Sequence, residues 1–74
     1  MAELPLLSGR EVVRVFECLG WVQARQRSSH MIPVREGHPA MLSIPAHKEV
    51  ARGTLRSLIR SAGLTVDEFI AATK

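Results

Sequence analysis

Apolar residues recur at helical spacing near both ends of this chain and alternate with polar ones in between. Val12, Val13, Phe16 and Leu19 mark the first helical stretch, with the repeat that gathers side chains on one face. Ser8-Gly9-Arg10-Glu11 precedes it in the form of a capping box, where the serine and glutamate side chains satisfy free amides at a helix start. Gly20 can take the left-handed conformation that closes a helix. The pattern predicts a helix from about Gly9 to Leu19, with residues 1–7 as a short tail.

Residues from Trp21 to Arg27 then read as a strand, Ser28-Ser29 as a tight turn, and His30 to Arg35 as a second strand. Glu36-Gly37-His38-Pro39 is turn chemistry. Ala40 to Ile44 reads as a third strand with Leu42 and Ile44 pointing inward. Pro33 conflicts with a regular three-strand meander, because proline in a central strand removes a ladder donor. A bulge or a shorter strand would resolve the conflict. Strand parity groups His30 with Ile32 and Val34, which would turn the histidine inward unless the turn or a bulge frees it.

After a loop from Pro45 to Arg52, Gly53-Thr54 opens a second helix with Leu55, Leu58, Ile59 and Ala62 on one face, and Gly63 ends it. Thr65-Val66-Asp67-Glu68 repeats the capping-box form ahead of Phe69 and Ile70. The order α-β-β-β-α-α predicts one α+β domain over residues 1–74, a three-stranded antiparallel sheet with helices packed on one face.

Seventy-four residues give one small domain of modest intrinsic stability. A hydrophobic content of 46% argues against disorder. The net charge of +3 suits a polyanionic partner. Cys18 is the single cysteine, so no internal disulfide can form, and an intracellular, cytoplasmic setting fits. The N-terminal residues carry no basic segment and too short an apolar run for a signal peptide or membrane span. The three histidines have no recognisable metal-site spacing, and no cofactor is expected.

The chemistry concentrates at His30. Arg25 and Arg27 lead into it, Arg35 follows, and no carboxylate lies between Trp21 and Arg35. Histidine titrates near neutrality and can take or give a proton, while arginine binds phosphate through a rigid fork of donors. A proton-transfer group beside phosphate-binding groups is the minimum equipment for cleaving RNA. Ser29 could add a hydrogen bond to phosphate, although turn formation explains it equally well. Arg52, Arg56 and Arg60 recur every four residues with no carboxylate between Val50 and Val66. They would form a basic stripe from a helix N-terminus, suited to an RNA backbone or simply solvated. His47 either stabilises its loop or touches substrate. His38 reads as a solvated turn residue and Trp21 as core.

These residues resemble the HicA-like toxins, the mRNA interferases of bacterial toxin–antitoxin pairs. The similarity runs from about Ser8 onward and is densest from Gly53 to Leu64, continuing through Thr65-Val66-Asp67-Glu68-Phe69. Ile44-Pro45-Ala46-His47 resembles the family's Pro-x-His after the third strand, and Leu19-Gly20-Trp21 the end of its first helix. His30 stands where the family carries its catalytic histidine. The chain departs from the pattern at Ser28, which replaces a glycine, at Met31, which replaces a frequent second histidine, and in a shorter loop before Gly53. The resemblance implies a fold like the double-stranded-RNA-binding domain, sequence-tolerant mRNA cleavage that arrests translation, and a HicB-like antitoxin covering the site.

Two other functions compete with a ribonuclease. A non-catalytic RNA-binding module of the same shape needs phosphate and 2′-hydroxyl contacts but no proton-transfer residue. A small adaptor would work through protein contacts alone.

Overall fold

The computed structural model describes residues 3–27 and 29–73. The elements run α1 (Gly9–Cys18), β1 (Val22–Arg27), β2 (His30–Val34), β3 (Ile44–Pro45), α2 (Arg52–Ser61) and α3 (Val66–Ala71). The strands form one antiparallel sheet in the order β1-β2-β3. Ser28, half of the expected turn, lies outside the described residues.

Both expected capping boxes are formed. The Ser8 side chain accepts from the Glu11 amide and the Glu11 carboxylate accepts from the Ser8 amide; Thr65 and Glu68 repeat the exchange at α3. Gly20 closes α1 at φ 96°, in the left-handed region that glycine adopts without strain. The Ser8 amide first, then the Ser8 side chain and, more weakly, the Arg14 charge hold the Glu11 carboxyl below its usual pKa, against an opposing effect of desolvation.

The core lies between one sheet face and the helices. Phe16 sits at its centre, with its ring 6.0 Å from Trp21 in an edge-on arrangement and 5.4 Å from Phe69. Leu42, Ile44, Val50, Leu55 and Ile59 belong to it as well. Trp21 is 1% exposed, as its position after α1 suggested. His38 is half-buried rather than simply solvated. Its ring lies 5.1 Å from that of Trp21, and its Nδ1 accepts from the Ala40 amide at 3.2 Å. The turn between β2 and β3 is thereby pinned to the core.

The N-terminal segment is no loose tail. Leu4 is buried, Leu7 forms an isolated antiparallel bridge with Val50, and Arg52 Nε donates to the Leu4 carbonyl at 2.8 Å. The third strand is shorter than its alternating pattern suggested. Leu42 and Ile44 do point inward, but hydrogen-bonded pairing is limited to Ile44–Pro45 and an isolated bridge between Met41 and Val34. α2 begins at Arg52, one residue before the expected start.

The short third strand resolves the Pro33 conflict: the Pro33 carbonyl faces that side and accepts from the Leu42 amide at 3.3 Å, while the ladder with β3 covers only His30 and Met31, so the missing amide lies beyond it. The ladder with β1 has an irregularity of its own. Gln23 pairs with Pro33 and Arg25 pairs with Ile32, leaving Ala24 as an extra residue in β1. A bulge of this kind inserts one residue and reverses the phase of everything beyond it.

Candidate nucleic-acid site on the open sheet face

In β2, Met31 and Pro33 face the core while His30 is exposed and Ile32 and Val34 are half-buried. Ile32 and Val34 are thus not the inward set that the parity argument supposed, and His30 shares their outer phase. Four consecutive apolar residues, Met31 to Val34, follow the histidine, so period-two alternation alone cannot choose the buried set. Packing of Met31, at 5% exposed, beneath the helices decides it.

The bulge at Ala24 then sets which residues of β1 join His30. Beyond it, Arg25 pairs with Ile32 and Arg27 pairs with His30, both on the outer phase. Ala24, Arg25, Ile32, Val34 and Met41 line one shallow depression of about 300 Å³ on that face. Were Ala24 itself paired with Ile32 in a regular ladder, Arg25 would lie opposite Met31 on the inner phase. Arg27 is described through its backbone register alone. Arg25 is the diagonal neighbour of His30, a spacing of roughly 7–8 Å between Cα atoms that a long side chain spans.

β3 closes the other side. His30 pairs with Pro45, and the Ser29 carbonyl accepts from the Ala46 amide at 2.6 Å. His47 lies two residues beyond Pro45 and is exposed; its carbonyl accepts from the Gly9 amide at 3.0 Å. That bond fixes the backbone of His47 at the end of the sheet where His30 lies. Ser29 is exposed.

The three arginines of α2 are exposed but belong to the helical layer, behind the face that carries His30. Arg52 is partly committed to the Leu4 carbonyl. Arg56 and Arg60 border a shallow depression with Ile59, Leu64 and Val66. Ala51, the residue capping α2, offers no side-chain acceptor to its first amides.

Two of the exposed large apolar side chains, Val22 at 65% and Met41 at 70%, flank the outer face beside Ile32 and Val34. The open face is thus an apolar patch with a cationic and imidazole-bearing end. Among the described residues, no group of three or more histidine, cysteine, aspartate or glutamate side chains could hold a metal ion, and no helix is long and apolar enough to cross a membrane.

The chain thus forms a small three-stranded sheet layered on three helices, with an exposed histidine at a strand end. The family model described as HicA toxin of bacterial toxin–antitoxin matches residues 9–64. A solved structure titled as a toxin–antitoxin complex from Streptococcus pneumoniae is similar at 27% identity and a TM-score of 0.69, covering 78% of this chain and 98% of that one. No curated protein matches the sequence. The chain belongs to the HicA toxin family.

Proposed function

We propose that this HicA-family toxin is a metal-independent endoribonuclease that cleaves mRNA in the cytoplasm and so inhibits translation as part of a stress response. RNA supplies its own nucleophile. The 2′-oxygen attacks the adjacent phosphorus, the bond to the 5′-oxygen breaks, and the proton lost from the 2′-hydroxyl is matched by one gained at the leaving oxygen. The products are a 2′,3′-cyclic phosphate and a 5′-hydroxyl. His30 serves one of the two proton transfers, a role worth ~10²–10⁴-fold in rate. Arg25, Arg27 and Ser29 bind the phosphate and offset charge that builds on it. His47 is a secondary substrate contact from the neighbouring strand end. Arg52, Arg56 and Arg60 add long-range attraction for the RNA backbone.

The observation that carries this reading is the exposure of His30 on an open sheet face, in register with Arg27 and diagonal to Arg25. Family membership supports it independently. A HicB-like antitoxin is the fitting partner, since the related structure is titled a toxin–antitoxin complex. It would cover the apolar patch of Val22, Ile32, Val34 and Met41 and bury His30 at its edge.

The test is to incubate the protein with mRNA in the presence of chelator and map the fragment ends. Cyclic-phosphate ends from the wild type and none from His30→Ala are expected. Equal cleavage by both would overturn the assignment, and binding without cleavage by the wild type would favour the RNA-binding module.

A further inference from the structure

The inner phase of β1 carries a feature that His30 does not explain. Gln23 pairs with buried Pro33 and Gln26 with buried Met31, so both occupy positions that face the helical layer. Such positions ordinarily hold apolar side chains. Here both glutamines are exposed, because α1 does not cover β1 completely. A groove of about 290 Å³ remains between the two elements.

One wall is α1, which contributes Arg10, Arg14 and Glu17 at i, i+4 and i+7, on one helical face. The other wall is Gln23 and Gln26, and Val13 and Met31 form an apolar floor. Among the described residues, the guanidinium of neither Arg10 nor Arg14 donates a hydrogen bond to the protein; the charge of Arg14 acts on Glu11. Each element of a nucleotide has a counterpart in this lining. Free guanidinium groups bind phosphate, side-chain amides pair with the donor–acceptor edge of a base, and the apolar floor takes its flat face. Glu17 at one end accepts from amino groups and repels phosphate, which directs the phosphate toward the arginines.

The groove also lies close to the open sheet face. Met31 follows His30 in the chain, Gln26 is its ladder partner, and Ala46, on the groove wall, bonds to the Ser29 carbonyl. β1 is an edge strand, so a flexible strand leaving His30 can pass over that edge. We propose that the groove between α1 and β1 holds a nucleotide of single-stranded RNA flanking the linkage at His30. The proposal rests on the ribonuclease reading and adds a substrate subsite to it.

The experiment measures binding of a labelled single-stranded oligoribonucleotide to the full-length His30→Ala protein across a salt series. Adding Arg10→Ala and Arg14→Ala is expected to weaken binding about tenfold or more at low salt. It should reduce the slope of log affinity against log salt by about 1.4, the contribution of two phosphate contacts on a single strand. Lysine at both positions should restore most of the slope, and Gln23→Ala with Gln26→Ala should change base preference while leaving the slope intact. Both arginines are exposed, and matching thermal melts would confirm folding. Unchanged affinity and slope in the arginine variant, with RNA bound and cleaved by the parent protein, would overturn the groove alone. So would a loss of antitoxin binding with RNA affinity intact. No RNA binding by any form at low salt would overturn both readings.

Discussion

The carbonyl oxygen of Pro45 occupies the space that a β-carbon on Gly9 would need. Gly9 is buried at the first turn of α1 and donates its amide to the His47 carbonyl at 3.0 Å. The absence of a side chain lets the helix start dock directly on the strand end beside His30. Gly9→Ala is therefore expected to destabilise the protein by about 1–3 kcal/mol, the usual cost of overpacking. Chemical denaturation measures this, and a stability equal to wild type would contradict the close packing.

The core has one aromatic hub. Phe16 touches both Trp21 and Phe69, and truncating a buried phenylalanine costs about 3–5 kcal/mol. That matches the whole stability that a domain of this size ordinarily draws from its core. Phe16→Ala should be largely unfolded at 25 °C by circular dichroism, and a cooperative melt near that of the wild type would refute the assignment.

The Glu11 carboxyl has a folded-state pKa below its ordinary value, set first by the Ser8 amide. A group of this kind stabilises the fold above its ordinary pKa, and the contribution disappears as pH falls through the lowered folded value. Stability should therefore decline on acidification below the ordinary glutamate range. Glu11→Gln should show a shallower decline there, read from melting temperatures across a pH series; parallel curves for the two proteins would show the carboxylate to be irrelevant.

Catalysis and partner binding should separate on the open sheet face. His30→Ala is expected to lose at least about 100-fold in RNA cleavage while keeping its melting temperature, because the side chain is exposed. Its expression in growing bacteria should be harmless where the wild type halts growth. Met41→Asp, at the far end of the patch from His30, should instead weaken antitoxin binding about tenfold or more and leave cleavage within a few-fold of wild type. Burying an unpaired carboxylate in an apolar contact is costly. Titration of the purified antitoxin against each variant distinguishes the two effects.

Much of the fold was legible because its signals are local. The capping boxes at Ser8 and Thr65, the glycine after α1 and the inward pair Leu42 and Ile44 each depend on a few neighbouring residues. His30 and its arginines were visible as an acid-free basic run. The orientation of His30 was not, since Met31 to Val34 offer apolar side chains to both faces. The bulge left no mark at Ala24, and Pro33 bears instead on the β3 side of β2, where its carbonyl accepts from the Leu42 amide. The anchoring of Leu4 and the docking of Gly9 on Pro45 join residues more than thirty positions apart. Spacing within one segment carries no information about such contacts. The α1–β1 groove was hidden for a related reason, because Gln23 and Gln26 become groove residues only once the register is known.

The unpaired alanine of the edge strand also bears on how this protein should be matched to its relatives. An alignment that runs through Ala24 without a gap, against a relative whose strand is regular, would equate Arg25 with a residue pointing into the other layer. Deleting Ala24 would give a regular ladder and leave Arg25, Gln26 and Arg27 opposite the same β2 residues, so such a relative and this chain differ in length but not in which side chains share a face.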